Sequence, residues 1–419
     1  MAGRRRWCAI VGLTIGLTIG LTSTVAAGDA AGKDWPQWRG PTRDGRVAES
    51  PAWPNDLKGL KQVWRVELGP SYSGPLIVGD RIFVTETRDK KDEVVYALDR
   101  ATGRTLWTTE WPGAMSVSFI AKKNGDWIRA TPACDGERLY VAGMRDLLVC
   151  LDANTGEKRW SIDFVEKFKT DLPSFGFVSS PLIVDDSVYV QAGGSFVRLD
   201  KITGEVRWRT LVDGGGMMGS AFASPVHATL CGTPQFVVQT RTELTGVAPE
   251  DGKVLWRREI PAFRGMNIWT PVIVGDRLFV SAYGGKSLGF ELAKSADSFG
   301  LNELWENKAQ GYMSTPVVVG DFAYVHLRNQ RAACLNLKDG TEAWRSKAFG
   351  EYWSLVLNRD RVLALDQRGE LLLLDATPKE FTLLDTKKIA DAETWGHLAV
   401  TGREIVIREL KAVAVYRWE

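Results

Sequence analysis

The sequence predicts an all-β fold, an eight-bladed β-propeller built from four-stranded repeats. Two periodic signals carry this prediction. A proline and an aromatic residue eight positions apart recur along the chain, with a turn sequence between them. Tryptophan also recurs at intervals that are mostly close to 48 residues, at Trp64, Trp107, Trp160, Trp208, Trp256, Trp305, Trp344 and Trp418. Four short strands in a repeat of this length are typical of a propeller blade.

The proline and aromatic pairs predict the first two strands of each blade, which we name A and B. Between the two residues of each pair lie Gly-Asp, Asp-Gly or Asp-Asp, flanked by β-branched and aromatic residues, as in a hairpin with a tight turn. The pairs are Pro75 and Phe83, Pro132 and Tyr140, Pro181 and Tyr189, Pro271 and Phe279, and Pro316 and Tyr324.

The tryptophans predict the last two strands, C and D, and the turn between them. In the first full repeat the pattern runs Ala97, Asp99, Thr102, Gly103 and Trp107. We expect the Asp to hold the turn, the Gly to adopt positive φ and the Trp to lie on strand D. Small residues ten positions before Trp, such as Ala97, are expected to admit an indole from the neighbouring blade. Corresponding positions are Asp152, Gly156, Trp160, Asp200, Gly204, Trp208, Trp256 and Trp344.

The repeat count predicts how the ring closes. Units start near residues 73, 130, 179, 224, 270, 315 and 355, and an eighth unit from about Trp395 to Trp418 has only three strands. An orphan strand around Trp64, residues 62–68, supplies the fourth, and this pairing removes exposed sheet edges. Seven blades are the alternative if the last two units merge. The predicted domains are a signal peptide, 1–27, an N-terminal extension, 28–61, and the propeller, 62–419.

The first residues predict export to the periplasm or secretion. Arg4, Arg5 and Arg6 precede an apolar stretch that ends near Thr22, followed by small residues up to Ala27, as in a secretory signal peptide. An uncleaved anchor is the alternative. The mature chain contains no further apolar run of spanning length. Its four cysteines, at positions 134, 150, 231 and 334, are expected to be packed thiols, with disulfides as the alternative.

Charge and motifs exclude several function classes. The 53 Lys and Arg residues nearly balance 51 Asp and Glu, so bulk attraction to nucleic acid is not expected. The chain has three His and shows no metal-type spacing, so no metal site is predicted. No nucleophile elbow, zinc motif or P-loop is present.

A ligand or partner face is predicted where the D-to-A and B-to-C loops meet. Aromatic and basic side chains there suit an anionic, sugar-like or protein ligand. In the alternative, the aromatic residues fill gaps between blades and the arginines are solvated. The D-to-A loops carry Tyr72, Phe222, Trp269, Tyr312, Trp353 and Trp395, and the B-to-C loops carry Arg88, Arg145, Arg241, Arg328, Arg331 and Arg368.

The repeat from Ala97 to Trp107 resembles the tryptophan-docking repeat of pyrroloquinoline-quinone (PQQ) dehydrogenase propellers. The blade count is similar to that of the outer-membrane β-barrel assembly lipoprotein family, and Asp34 to Pro41 resembles the leader of exported PQQ-like repeat proteins. The resemblance to the catalytic PQQ dehydrogenases implies an adjacent cysteine pair, calcium ligands and a base. No two cysteines are adjacent here, no calcium set is assigned, and the lipidated cysteine of the lipoproteins is missing.

Together these observations predict an exported, non-catalytic PQQ-like propeller that binds a protein or an extracellular ligand on one face, with no cofactor. One alternative is a PQQ-dependent quinoprotein-type oxidoreductase that uses PQQ with calcium. Another is an outer-membrane protein assembly scaffold, whose partner adds a strand or peptide to the propeller face.

Overall fold

The computed structural model describes residues 1, 3, 34–47, 50–118, 125–296 and 298–419. Apart from residues 1 and 3, the predicted signal peptide lies outside these ranges. The described residues from 34 onward form one compact unit. Within the described ranges, the strands form eight antiparallel sheets of four strands each. This count confirms the predicted fold class and rules out the seven-bladed alternative.

The first four blades each take four consecutive strands, in the order A to D. Blade 1 contains β2 (Leu76–Val78), β3 (Arg81–Arg88), β4 (Asp92–Asp99) and β5 (Thr105–Pro112). Blade 2 contains β6 (Ala133–Cys134), β7 (Arg138–Gly143), β8 (Leu147–Asp152) and β9 (Lys158–Asp163). Blade 3 contains β10 (Leu182–Val184), β11 (Ser187–Gln191), β12 (Phe196–Asp200) and β13 (Val206–Thr210). Blade 4 contains β14 (Val226–Leu230), β15 (Thr233–Gln239), β16 (Glu243–Val247) and β17 (Val254–Glu259).

The next three blades continue the pattern. Blade 5 contains β18 (Val272–Val274), β19 (Arg277–Ser281), β20 (Ser287–Ser295) and β21 (Ser298–Asn307). Blade 6 contains β22 (Val317–Val319), β23 (Phe322–His326), β24 (Arg331–Asn336) and β25 (Glu342–Ala348). Blade 7 contains β26 (Trp353–Asn358), β27 (Arg361–Asp366), β28 (Glu370–Asp375) and β29 (Thr382–Lys388). A short helix, α1 (Phe164–Phe168), and one 3-10 turn (Phe263–Gly265) lie in D-to-A loops.

Blade 8 combines the two ends of the propeller. It contains β30 (Ala399–Thr401), β31 (Glu404–Glu409), β32 (Ala412–Trp418) and β1 (Leu60–Glu67). Strand β1 pairs antiparallel with β32, from Leu60 opposite Trp418 to Glu67 opposite Ala412. The innermost strand of blade 1, β2, contacts both β30 and β6. The ring is therefore closed by a sheet that joins residues far apart in the chain.

Most of the strand-D indoles dock on the turn of the following blade, whereas Nε1 of Trp256 donates to Gln235 of its own blade. The Trp107 ring lies against Gly156 of blade 2, where an added Cβ would come within 2.5 Å of a ring carbon. The indole Nε1 also donates to the carbonyl oxygen of Ala153, 3.2 Å away. Burial of a side chain this large makes the contact a strong link between neighbouring sheets. The same docking joins Trp64 to Gly103, Trp160 to Gly204, Trp208 to Gly252 and Trp305 to Gly340.

The small residues ten positions before Trp serve a different purpose from the one expected. Ala97 lies directly opposite Trp107 on the adjacent strand of the same blade. Likewise an added Cβ on Gly246 would lie 2.1 Å from Nε1 of Trp256, its partner in blade 4. The prediction that these positions admit an indole from the neighbouring blade is therefore wrong. They leave room for the Trp of their own blade.

The docking contact gives a stability prediction with a matched control. Gly103 and Gly79 both have positive φ, but only Gly103 lies against an indole, that of Trp64. We expect Gly103→Ala to lower the free energy of unfolding by about 3 kcal/mol, because it adds overpacking to backbone strain. Gly79→Ala should cost only about 1 kcal/mol. Urea unfolding measures both, and equal losses would contradict docking as the cause.

Candidate functional site

An N-terminal segment, residues 34–47, crosses the inner ends of the blades; we call it the leader. Trp35 forms a β-bridge with Ile77 of blade 1, and Arg46 forms one with Leu357 of blade 7. The Pro36 carbonyl accepts a hydrogen bond from Cys134 of blade 2. The leader therefore passes across the central channel instead of lying along the outside of the ring.

Two buried arginines fasten the leader inside the channel. Arg39 is 1% exposed and donates to four carbonyl oxygens, those of Arg43, Asp44, Thr315 and Pro316. Burial lowers the pKa of Arg39 to about 10, so it remains charged at neutral pH. Nη2 of Arg43 donates to the Ser180 carbonyl of blade 3, 3.0 Å away. The charged groups are thus held mainly by backbone oxygens.

A belt of hydroxyl groups surrounds the channel. The amide of Thr131 donates to Oγ of Ser180, 3.1 Å away, and that of Ser180 donates to Oγ of Ser224, 2.9 Å away. Each bond joins the start of one A strand to that of the next blade. The sequence signal, which our prediction missed, is the Ser or Thr before the repeated proline. The belt continues through Gly74 to Thr131, Ser224 to Thr270, Thr270 to Thr315, Trp353 to Ser314 and Leu398 to Ser354.

On the D-to-A side of the leader lies a cavity of about 200 Å³, which we call the upper cavity. Trp395 stacks on Tyr352 with ring centroids 5.7 Å apart and lies 5.9 Å from Tyr72. Burial raises the pKa of Tyr72 to about 12, so its hydroxyl remains a neutral donor. The remaining lining includes Trp38, Arg129, Val178, Phe222, Ile268 and Met313. This cavity can stack a flat ligand or an aromatic side chain.

Of the predicted face residues, the upper cavity brings together Tyr72, Phe222 and Trp395. The prediction did not include Trp38, Arg129 or Tyr352 in the set. Burial lowers the pKa of Arg129 to about 10, and its side chain donates to the carbonyls of Gly125 and Trp127. Trp38 lines the cavity because the leader crosses the channel. The sequence pattern does not indicate this crossing, because the leader lies outside the repeats.

The predicted arginines do not form a ring around this cavity, since none of the six lines it. Arg88 pairs with Glu86 and Glu110, and Arg368 pairs with Asp366. Arg331 donates to the Ser346 carbonyl, and Arg145 is exposed. Two predicted tryptophans are buried: Trp269 packs edge-on against Phe279, and Trp353 contacts His326 and Phe349. As placed here, these two fill gaps within and between blades.

Arg241 clamps two neighbouring D-to-A loops together. It is 3% exposed and donates from Nη1 to the carbonyls of Met217 and Gly219 in one loop. Nη2 and Nε donate to the carbonyls of Arg264 and Gly265 in the other. Its guanidinium also lies 4.4 Å from the ring centroid of Phe222. The side chain is therefore committed to loop structure and does not project toward solvent.

The clamped loops present an apolar patch, which we define as Met217, Met218 and Phe263. These side chains are 41%, 63% and 52% exposed, respectively. The rings continue from Phe263 to Tyr283, 6.1 Å away, and from Tyr283 to Tyr312, 5.0 Å away. Arg328 lies 4.3 Å above the Tyr283 ring. Exposed apolar side chains grouped in this way make the patch a candidate binding surface.

The dehydrogenase resemblance implies an adjacent cysteine pair and acidic calcium ligands, and the described side chains supply neither a cysteine pair nor a cluster of acids. Across the described residues, no group of three or more His, Cys, Asp or Glu side chains is placed to hold a metal ion. The four described cysteines are unpaired thiols, and burial raises the pKa of Cys134 to about 12. No helix in the described ranges is long and apolar enough to span a membrane.

Solved structures share this architecture. BamB from Moraxella catarrhalis superposes with a TM-score of 0.62 at 15% identity, over 86% of this chain and 98% of that one. A quinohemoprotein alcohol dehydrogenase from Pseudomonas putida HK5 gives a TM-score of 0.58 at 12% identity, over 93% and 81%. At these identities the likeness establishes the fold, a PQQ-like propeller.

Sequence comparison identifies the family. The outer membrane protein assembly factor BamB of Moranella endobia (strain PCIT) is 23% identical over 355 residues, 79% of this chain and 84% of that protein. The family model described as outer membrane protein assembly factor BamB matches residues 91–346, more than half of the chain. The repeats, the closed ring of eight blades and this match agree, and the chain belongs to the BamB family.

Proposed function

We propose that this protein is an exported, non-catalytic scaffold of the cell envelope that binds a protein partner on its D-to-A face. Its proposed role is in outer membrane protein assembly, the process named for its relatives. The observation that carries the proposal is the apolar patch of Met217, Met218 and Phe263. Export through the segment 1–27, followed by an extension and the propeller from residue 62, is part of the same proposal.

The chemistry of the patch favours a protein over a small ligand. Its three side chains project from loops and lie outside the upper cavity. Flexible methionines adapt to an apolar partner surface. The adjoining Tyr283, Tyr312 and Arg328 are residue types that often dominate protein interfaces. Arg241 fixes both loops before binding, which reduces the entropy lost on association.

A charge-insertion experiment tests this surface. We expect the variant with Met218→Asp and Phe263→Asp to recover at least about tenfold less partner from a detergent-solubilised envelope fraction, because it buries charge at an apolar contact. Ile202→Asp is the matched control, since Ile202 is 49% exposed in the C-to-D turn of blade 3, at the opposite end of that blade. It should change recovery by less than about twofold.

Mass spectrometry of the recovered proteins tests the biological role. Recovery of outer membrane protein assembly components that are lost in the double variant supports the proposal. Thermal unfolding of each variant separates lost binding from lost folding. Unchanged recovery with a folded double variant would exclude the patch as the partner surface.

A further inference from the structure

Each blade contributes one lining residue to the upper cavity, from the segment just before its A strand or from the first residue of that strand. Four of these residues are aromatic, namely Tyr72, Phe222, Tyr352 and Trp395; three are aliphatic, and the eighth is Arg129. All of them except Tyr352 are partly exposed. A group that enters from the D-to-A side can therefore contact the side chains that form the wall.

The size of the cavity suits a single aromatic ring. Its volume of about 200 Å³ is smaller than the roughly 300 Å³ of the smallest sites for drug-sized ligands and close to the about 150 Å³ of a cavity that holds benzene. Trp395 and Tyr72, with ring centroids 5.9 Å apart, lie in the wall, and Trp38 of the leader adds a further ring. Because aromatic rings attract one another beyond simple burial, an aromatic side chain should bind more tightly here than an aliphatic one.

The unused polar groups of the cavity are hydrogen-bond donors. Nε and Nη2 of Arg129 donate to the carbonyl oxygens of Trp127 and Gly125, whereas Nη1 makes no hydrogen bond within the described ranges and is not fully buried. Five belt residues also line the cavity, and the hydroxyl of each accepts an amide hydrogen bond but donates to no described group. These are Thr131, Ser180, Ser224, Thr270 and Thr315. An entering ring should therefore carry an acceptor atom.

This polarity distinguishes between the aromatic side chains. A phenol oxygen can accept a hydrogen bond, whereas an indole N–H can only donate and a phenyl ring offers no polar atom. No carboxylate lines the described part of the cavity, and His397, which does, is neutral at pH 7 because burial lowers its pKa to about 3. Tyrosine is the side chain that combines the ring with an acceptor.

The cavity and the apolar patch are parts of one surface. The loop between β13 and β14 carries Met217 of the patch and Phe222 of the cavity wall. Arg241 joins them, since it donates to the Met217 carbonyl and lies 4.4 Å from the Phe222 ring centroid. The next D-to-A loop likewise carries Phe263 of the patch and Ile268 of the wall. A polypeptide that lies on the patch can therefore place a side chain in the cavity.

We propose that the upper cavity receives a tyrosine side chain of the protein partner. Its ring packs among Tyr72, Phe222 and Trp395, and its phenol oxygen accepts a hydrogen bond from Nη1 of Arg129. This inference rests on the proposed function, in which a protein binds the D-to-A face.

Calorimetry with capped amino acids tests the cavity in the absence of any partner. N-acetyl-L-tyrosinamide should bind saturably with one site per chain. N-acetyl-L-phenylalaninamide should bind at least about threefold more weakly, because it lacks the acceptor oxygen. N-acetyl-L-leucinamide should bind about tenfold more weakly, because it lacks both the acceptor and the ring.

Variants of the wall assign the two contacts separately. Arg129→Met should weaken tyrosinamide binding by about threefold or more and leave phenylalaninamide binding unchanged, which a general disturbance of the cavity would not do. Trp395→Ala should weaken binding of both probes by about tenfold. Ile202→Asp, in the distant C-to-D turn of blade 3, is the control and should change neither. If Trp395→Ala fails to fold, Val178→Trp should block the cavity from a partly exposed position of the wall.

Absence of tyrosinamide binding at about 10 mM would overturn the inference, because that limit corresponds to negligible affinity. So would equal binding of leucinamide, tighter binding of benzoate than of tyrosinamide, or unchanged tyrosinamide binding in a folded Val178→Trp protein. Partner recovery from the envelope fraction separates this inference from the proposed function. Recovery that is lost in the patch variant, yet is unchanged in a folded Trp395→Ala protein that no longer binds tyrosinamide, would overturn the tyrosine contact and leave the scaffold role standing.

Discussion

Removal of residues 412–419 should prevent the propeller from folding. Strand β32 pairs with β31 on one side and with β1 on the other, so its loss leaves β1 without a partner. Val413, Val415, Tyr416 and Trp418 are at most 5% exposed. At about 1.5–3 kcal/mol for each large apolar side chain, their burial is comparable with the whole stability of a typical domain. Circular dichroism and size-exclusion chromatography provide the measurement.

Glu419→Gln is the matched control for this truncation. It removes only the ion pair with Lys61, whose side chain is 62% exposed, and should change stability by less than about 1 kcal/mol. A truncated chain that stays monomeric and unfolds cooperatively near the wild-type temperature would show that seven blades close without the eighth. That result would contradict the closing role of β32.

Arg39→Ala should lower the free energy of unfolding by about 3–5 kcal/mol, because it removes a charged donor from three buried carbonyl oxygens and one partly buried one. The bonds to Thr315 and Pro316 join the leader to blade 6, so the leader should also become sensitive to protease. Arg39→Lys should recover less than half of the loss, since an ammonium cannot reach all four acceptors. Equilibrium urea unfolding and limited proteolysis measure the two effects.

The half-exposed Arg46 provides the comparison for Arg39. Arg46→Ala removes a contact to Asp44 and one hydrogen bond to the Val318 carbonyl, and should cost about 1 kcal/mol. A loss at Arg39 no larger than that at Arg46 would contradict the view that the buried guanidinium fastens the leader.

The fold was predictable because each blade repeats the same turn and strand pattern. The Asp and Gly of the C-to-D turn and the Trp of strand D stand at fixed spacing, and in blade 1 the Asp99 carboxylate accepts from the amide and hydroxyl of Thr102. The partner of each indole was harder to assign. Spacing along the chain does not show whether a small residue makes room for the Trp of its own sheet or for that of the next. Ala97 and Gly246, ten positions before Trp107 and Trp256, each lie opposite the Trp of their own blade.

The candidate site was predictable only in part. Tyr72, Phe222 and Trp395 were found because aromatic residues in D-to-A loops point to the mouth of a propeller. Arg241 has the same kind of loop position as Arg145, yet one is buried against four carbonyls and the other is exposed. Only the path of the neighbouring loops decides between these outcomes.

The sequence by itself determined the blade pattern and the sharing of the last blade between both chain ends, because turn chemistry and strand periodicity are local. Tertiary structure alone decided what fills the channel. The leader carries no repeat signal, and its place depends on carbonyl oxygens from blades 3 and 6 that Arg43 and Arg39 reach across more than a hundred residues of chain. That crossing buries two arginines where side-chain partners are few, and within the described ranges it leaves Nε and Nη1 of Arg43 without an acceptor.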